Sequence, residues 1–228
     1  MSPITKVLWA GILLAGSSSF ATEPAGVPPA GLGEGTPFVD GTVEAGAPKA
    51  AGCSACHGPN GNSINSQWPK LAGQNAVYLA EQLHLFKSGV RPNSIMLGMS
   101  VNLSESDIDS LAVFYQAQTP TGGEADAAMW KAGEILYRFG DPSREIPACS
   151  ACHGPTGRGN TLADYPALRA QFADYVAKQL GDYAGGVRYG AAKSGAPVSR
   201  NGYIMETIAK RLNADDIKHL AAYIQGMR

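Results

Sequence analysis

The residues best suited to chemistry are the four cysteines, which all lie in two copies of one short motif. The sequence CSACHGP begins at Cys53 and again at Cys149, so each copy places two thiols three residues apart and a histidine directly after the second thiol. Paired cysteines serve in structural zinc sites, in thiol–disulfide redox centres and in the covalent attachment of haem. The spacing and the neighbouring residues discriminate among these uses.

A structural zinc site typically has two Cys-x-x-Cys pairs about 15 to 20 residues apart, whereas Cys56 and Cys149 are far more distant in the sequence. A redox centre expects a βαβ context, which is missing here, and cysteines this close in a helical segment seldom form a structural disulfide. Cys-x-x-Cys-His is instead the attachment signature of c-type haem, whose iron takes an axial nitrogen from the histidine. The sequence therefore predicts two covalently bound haem c groups, held by Cys53, Cys56, Cys149 and Cys152, with His57 and His153 as iron ligands.

The second axial ligand of each iron decides between an electron carrier and an enzyme with an open iron site. His84 and His219 do not recur at matching positions of the two halves, so they are interpreted as surface or interface residues. Met96 and Met205 do recur, each seven residues before the leucine that precedes the last helix of its half. These two methionines, expected in loops, are the predicted ligands, and Met99 remains an alternative to Met96.

A proline follows each predicted histidine ligand after about a dozen residues, Pro69 in the first half and Pro166 in the second. Its backbone carbonyl could accept a hydrogen bond from the histidine Nδ1–H, which would orient the imidazole towards a metal. A proline that simply opens a loop is the other interpretation.

The elements that must position these residues are duplicated as well. WPKLAGQ pairs with YPALRAQ, YLAEQLHLFKSG with YVAKQLGDYAGG, and LSESDIDSLAVFYQAQ with LNADDIKHLAAYIQGM. Apolar residues at helical spacing predict amphipathic helices, and Ser104 with Asp107 has the pattern of an N-cap followed by an acid. Asn213 with Asp216 repeats that pattern. The predicted fold is all-α, with two tandem cytochrome c-like domains of short helices, each wrapped around a haem that supplies missing apolar core.

The N-terminal residues have the features of a secretory signal peptide: a lysine, a short apolar run and small residues at a plausible cleavage site. The run is shorter than the roughly 20 residues that span a bilayer. We therefore expect a cleaved signal and a periplasmic protein. The predicted organisation is a signal peptide at 1–21, a Gly/Pro-rich flexible segment at 22–42, and two domains at 43–120 and 124–228.

The charges are nearly balanced, with 18 basic and 19 acidic side chains. No basic stripe interleaved with aromatic residues is present, so nucleic acid is excluded as an expected partner. Two haems with closed iron sites would leave no small-molecule substrate. The expected partners are other redox proteins, bound through small, transient and salt-sensitive surfaces.

From about residue 43 to 228 the motifs resemble those of the cytochrome c4 family, which are dihaem class I cytochromes c. The resemblance implies the same cysteine, histidine and methionine ligands at the positions named above. It also implies a monomeric, non-enzymatic periplasmic carrier that delivers electrons to a membrane-bound terminal oxidase. The dihaem subunit of flavocytochrome c sulfide dehydrogenase looks similar and is the alternative. A dihaem peroxidase is a third possibility, which requires an exchangeable iron position.

Overall fold

The computed structural model describes residues 39–189 and 200–228. The predicted signal peptide and most of the Gly/Pro-rich segment lie outside the described residues. Within those two ranges the regular elements are helices, accompanied by isolated β-bridges such as that between Asp141 and Ile146. The prediction of an all-α fold is confirmed. No helix in these ranges is both long enough and apolar enough to cross a membrane.

The second half of the chain repeats the helices of the first. The first half contains α1 (Val43–Lys49), α2 (Ser54–His57), α3 (Ala76–Lys87), α4 (Ser94–Ser100) and α5 (Glu105–Gln116). The second half contains α6 (Trp130–Phe139), α7 (Ser150–His153), α8 (Ala173–Ala184), α9 (Arg200–Ala209) and α10 (Ala214–Gly226). The extra residues that the sequence places in the second half lie between α8 and α9.

The last helix of each half begins with the predicted cap. The Ser104 hydroxyl accepts a hydrogen bond from the backbone N–H of Asp107, whose carboxylate accepts one in return from the backbone of Ser104. Asn213 and Asp216 form the same reciprocal pair at the start of α10. Each box satisfies two backbone donors that a helix N-terminus otherwise leaves without partners.

A glycine in the first helix of each half allows close approach to the last helix. A Cβ on Gly46 of α1 would lie 2.1 Å from the backbone oxygen of Ser110 in α5. A Cβ on Gly133 of α6 would lie 2.0 Å from the backbone oxygen of His219 in α10. Any larger residue would force these helices apart. The last helices α5 and α10 also contribute buried residues to two separate apolar cores.

The two halves form one compact unit and are joined by a reciprocal set of amide hydrogen bonds, which we call the glutamine clasp. The Gln74 side chain donates to the carbonyl of Ala167 (2.8 Å) and accepts from its N–H (2.7 Å). The Gln171 side chain donates to the carbonyl of Lys70 (2.9 Å) and accepts from its N–H (3.0 Å). Because these residues occupy matching positions of the repeat, the clasp relates the halves by an approximate two-fold axis.

Candidate haem sites

Each cysteine motif folds into one short helical turn that presents both thiols and the histidine together. In the first copy the N–H of His57 donates to the carbonyl of Cys53 at 3.0 Å, and the C-cap residue of α2 is Gly58, with φ 77° and ψ 157°. In the second copy the C-cap residue of α7 is Gly154, with φ 78° and ψ 158°. Essentially only glycine adopts this conformation. The motif therefore needs its glycine to turn the chain away immediately after the histidine.

The two histidines are buried, and each is held by the carbonyl of the predicted proline. The His57 ring nitrogen Nδ1 lies 2.8 Å from the oxygen of Pro69, and the His153 Nδ1 lies 2.9 Å from that of Pro166. A carbonyl accepts only from a protonated Nδ1, so the lone pair is on Nε2 and is available to a metal. Burial lowers the pKa of both imidazoles, and the proline carbonyls offset this only in part. Both rings are therefore held in the neutral, ligand-competent form.

The four thiols are free and partly buried, and Cys53 and Cys149 do not have the properties of reactive redox thiols. Burial raises the pKa of the Cys53 thiol and raises that of Cys149 to about 11. A reactive redox thiol has a lowered pKa instead. In the part of the chain that the structure describes, no group of three or more His, Cys, Asp or Glu side chains could hold a metal ion by itself. The donor set of each motif, two free thiols one turn apart and one oriented imidazole, fits covalent haem.

The methionines lie in helices, so the prediction that they occupy loops is wrong. Met96 is partly exposed in α4, where its N–H donates to the Asn93 side chain at 2.9 Å and so starts the helix. The Ser100 hydroxyl donates to the Met96 carbonyl at 2.8 Å. The rival Met99, on the same helix, is 46% exposed. The glycine in this stretch indicated a loop, but the Asn93 cap is sufficient to begin a helix.

Met205 lies in α9 and is partly buried at the boundary between the halves. It packs against a small cluster formed by Tyr183, Tyr189 and Ala209, which Leu85 of the first half also contacts. The structure thus brings each cysteine pair together with its histidine, and it places each methionine on a separate helix that packs on α3 or α8.

The remaining candidates have other roles. His84 is partly exposed, and its Nε2 lies 3.3 Å from the carboxylate of Glu105. His219 is partly buried on α10. Met129 is the N-cap residue of α6, and Met227 is buried in the second core. Packing is thus the role of Met227.

Sequence reasoning missed a pair of arginines that cross between the halves. Arg91 donates to the Tyr175 hydroxyl (2.9 Å) and to the Gln179 side chain (2.7 Å) of the second half. In the opposite direction, Arg188 donates to Tyr78 (2.5 Å) and Gln82 (2.7 Å) of the first half. Both arginines are buried, with 9% and 4% of their surface exposed. The sequence did contain a signal, which is the alignment of the two halves. Arg91, Tyr78 and Gln82 of the first half align with Arg188, Tyr175 and Gln179 of the second half.

The chain matches the family model described as cytochrome c in two segments, residues 43–116 and 144–228. Cytochrome c4 of Azotobacter vinelandii is 43% identical over 196 residues, which cover 82% of this chain and 90% of that protein. A crystal structure of reduced recombinant cytochrome c4 from Pseudomonas stutzeri matches with a TM-score of 0.76 and 40% identity, covering 82% of this chain and 100% of that one.

A protein of Thiomonas intermedia named thiosulfate dehydrogenase electron acceptor is 36% identical over 181 residues, which cover 78% of this chain and 79% of that protein. Both halves of the chain are thus cytochrome c domains, and the two cysteine motifs carry covalent haem c.

Proposed function

Because the chain belongs to the cytochrome c4 family of dihaem electron-transfer cytochromes, we propose that it carries single electrons in the periplasm to a membrane-bound terminal oxidase. The observation that carries this proposal is the buried, oriented histidine beside each cysteine pair. A carrier needs iron sites that stay closed and change little between oxidation states. The proposed partners are redox proteins that dock transiently, with the protein acting as a monomer.

The proposed axial ligands are His57 with Met96 in the first domain and His153 with Met205 in the second. The repeat position of the methionines supports this assignment, as does the preference of thioether sulfur for soft metal states. Each bound haem supplies reversible one-electron chemistry. The protein's own contribution is to orient the imidazole through a proline carbonyl and to keep water away from it.

The glutamine clasp holds the two cytochrome domains in one arrangement, which favours electron passage between them within the chain. We also propose the organisation expected from the sequence: a signal peptide at 1–21, a Gly/Pro-rich segment at 22–42 and domains at 43–120 and 124–228. The signal-like N-terminal sequence supports export to the periplasm.

The test uses the protein expressed with its export signal in a host that attaches haem c. We expect two haems per chain by pyridine haemochrome, and a near-infrared band of methionine-to-ferric-iron charge transfer from both. Met96→Ala and Met205→Ala should each remove about half of that band, whereas the matched control Met99→Leu should leave it intact. Loss of the band in the Met99 variant, with retention in the Met96 variant, would reverse the assignment. Reduced protein should also be oxidised by membranes that contain the native oxidase.

A second candidate function is that of the electron-accepting partner of a dehydrogenase that oxidises sulfur compounds. The similarity to the Thiomonas protein named as an electron acceptor favours it, as does the earlier resemblance to the sulfide dehydrogenase subunit. This function predicts rapid reduction by such a dehydrogenase with its substrate, and a stoichiometric complex that survives gel filtration at moderate salt. A chain that elutes as a monomer and reacts only with the oxidase would contradict it.

A further inference from the structure

A small cleft opens beside the glutamine clasp, where the two halves of the chain meet. It is lined by the clasp glutamines, by Pro120 of the connecting segment, and by two further residues of each half: Lys70 and Ala72, and Ala167 and Arg169. Its floor has room for a single water-sized group. We call it the cationic cleft, because both of its charged lining residues are positive.

The two cations of this cleft are departures from the repeat. Lys70 aligns with Ala167, and Arg169 aligns with Ala72, so each half contributes one cation and one alanine. The clasp and the proline carbonyls that hold the histidines, by contrast, occur in both halves. The cations are therefore not required by the features that the halves share, and their charge needs a separate explanation.

Neither cation has an opposite charge beside it. None of the ion pairs formed by the described residues includes Lys70, Arg158 or Arg169. Burial lowers the pKa of the Arg169 guanidinium, and the positive charge of Arg158 lowers it further. Burial also lowers the pKa of the Lys70 ammonium. The cleft therefore holds positive charge that the surrounding protein does not neutralise.

The cations also have hydrogen-bond donors to spare. The Nε–H of Arg169 is buried and has no acceptor among the described residues, which is rare for a guanidinium. The Lys70 ammonium donates to the carbonyl of Thr121, next to Pro120, at 2.5 Å and lies 4.7 Å from the ring centre of Phe172. It keeps two of its three N–H groups for a ligand. A ligand of the cleft must therefore be an acceptor with negative charge.

We propose that the cationic cleft binds a small inorganic oxyanion with two negative charges, such as phosphate. The planar N–H groups of arginine match an oxyanion, and lysine binds phosphate as a point charge. Two charges on the ligand neutralise Lys70 and Arg169 together, whereas one carboxylate would neutralise a single cation. One oxygen of the anion occupies the floor, and the others remain at the mouth. This inference goes beyond the carrier function and does not depend on which redox proteins the chain meets.

The place of the cleft gives the anion a consequence for both haem sites. Lys70 directly follows Pro69, and Arg169 lies three residues after Pro166. The carbonyls of these two prolines hold the two histidine ligands. A negative charge bound between the two loops stabilises the oxidised iron on both sides. We therefore expect the bound anion to lower both reduction potentials.

The first measurement is calorimetric titration of the protein with both haems attached, using inorganic phosphate at constant ionic strength and mildly alkaline pH, where phosphate is doubly charged. We expect one phosphate per chain. Arg169→Ala and Lys70→Ala should each weaken binding at least about tenfold, because each removes a charge-assisted hydrogen bond. Alanine is the residue that the other half has at each matching position, so the fold should tolerate it. Lys218→Ala, which removes an exposed cation of α10, is the matched control and should bind like the wild type.

The second measurement is the reduction potential of each haem as phosphate is added. Both potentials should fall in a saturable way, with half of the change at the calorimetric dissociation constant, and Arg169→Ala should abolish the change. If Arg169→Ala does not fold, Arg169→Lys keeps the charge without the planar donors and should bind with intermediate affinity.

Three results would overturn the proposal. The first is the absence of saturable phosphate binding, which would also follow if a group of the bound haem filled the cleft. The second is an equal loss of affinity in Arg169→Ala and Lys218→Ala, since phosphate would then respond only to net charge. The third is tighter binding of acetate than of phosphate, because the ligand would then be a carboxylate. Each result leaves the carrier function standing, since haem content and oxidation by the oxidase are measured without phosphate.

Discussion

The two halves of the molecule hold their haem motifs in the same way but hold their methionine helices differently. The histidine-to-carbonyl distances are 2.8 and 2.9 Å, and the glycine that ends each motif has φ of 77° and 78°. By contrast, α4 and its C-cap residue Val101 leave apolar side chains exposed to between 40% and 52% of their surface: Ile95, Leu97, Met99 and Val101. The geometry that orients the histidine is thus strictly duplicated, while the helix that carries the methionine has diverged.

The divergence has a structural basis at the boundary between the halves. Met205 of α9 packs into the tyrosine cluster that Leu85 of the first half also contacts. Met96 of α4 belongs to no buried cluster of the described residues. The first half therefore helps to support α9, the methionine helix of the second half. The second half does not support α4 in the same way. We expect the two haems to be unequal in potential although their attachment sites are alike.

The largest effect on this comparison should come from removing one haem at a time. Cys53→Ser with Cys56→Ser, and Cys149→Ser with Cys152→Ser, should each lower the haem content from two to one, because serine forms no thioether. The second pair should also lower the thermal unfolding temperature more, since it disturbs the half whose α9 packs at the boundary. Pyridine haemochrome and thermal unfolding followed by circular dichroism provide the two readouts. Equal unfolding temperatures would show that the packing of α9 at the boundary between the halves does not contribute to stability.

The next effect concerns the helix crossings, which the two halves share. Gly46→Ala and Gly133→Ala should each destabilise the protein by about 3 kcal/mol, because the new Cβ would meet a backbone oxygen that cannot move away cheaply. Gly181→Ala is the matched control. A Cβ at that helical position contacts nothing within 4 Å, so alanine should stabilise by up to about 1 kcal/mol. Urea unfolding measures the stability of all three variants. A Gly46 variant as stable as the control would show that the first half does not depend on a close helix crossing.

A smaller effect should come from the caps of the last helices. Ser104→Ala and Asn213→Ala should each cost about 1 kcal/mol of unfolding free energy, because each leaves a backbone N–H of the first helical turn without its acceptor. Ser104→Asp should restore most of the loss, since aspartate caps equally well. The two costs should add in the double variant, because the caps belong to separate domains. A large departure from additivity in urea unfolding would mean that the halves do not behave as matched units.

The smallest effect should appear at acid pH. The Lys49 ammonium lowers the pKa of Asp107, and the Arg144 guanidinium lowers that of Asp216. A carboxylate whose pKa is lowered by folding stabilises the folded state above its unfolded pKa of about 4 and loses that contribution as the pH falls through its folded pKa.

The second half should lose more, because Arg144 also binds Asp141, whose pKa is lowered to about 2 by its hydrogen bonds to Ser143 and Arg144. Asp141→Asn combined with Asp216→Asn should therefore flatten the acid limb of the urea midpoint more than Asp107→Asn, because the pair of substitutions removes both carboxylates that Arg144 binds. The reverse order would contradict the comparison of these ion pairs.

Much of the molecule could be predicted because short sequence motifs determine its cofactor and the ends of its helices. The Cys-x-x-Cys-His motif determines the cofactor by itself, and the capping residues of α5 and α10 determine where those helices begin. The all-α class was predicted from the helical spacing of apolar residues. The division into two halves was predicted from the alignment of repeated motifs within the chain.

The arginine pair and the methionine helices could not be predicted in the same way. An arginine in a sequence indicates a solvated side chain, and its burial depends on how two domains meet. Arg91 and Arg188 did stand in register, but register alone does not distinguish an interface from a surface. For α4, Gly98 weakened the helical pattern, and only the Asn93 side chain reveals the helix start.

The glutamine clasp has a consequence for how the molecule responds to its surroundings. It is built from neutral amides, so dissolved ions do not screen it as they screen contacts between charged surfaces. Raising the ionic strength should slow the collision of this protein with its partners and leave the distance between its two domains unchanged. The exchange of electrons inside the chain would then keep a constant rate across conditions in which exchange between proteins varies widely.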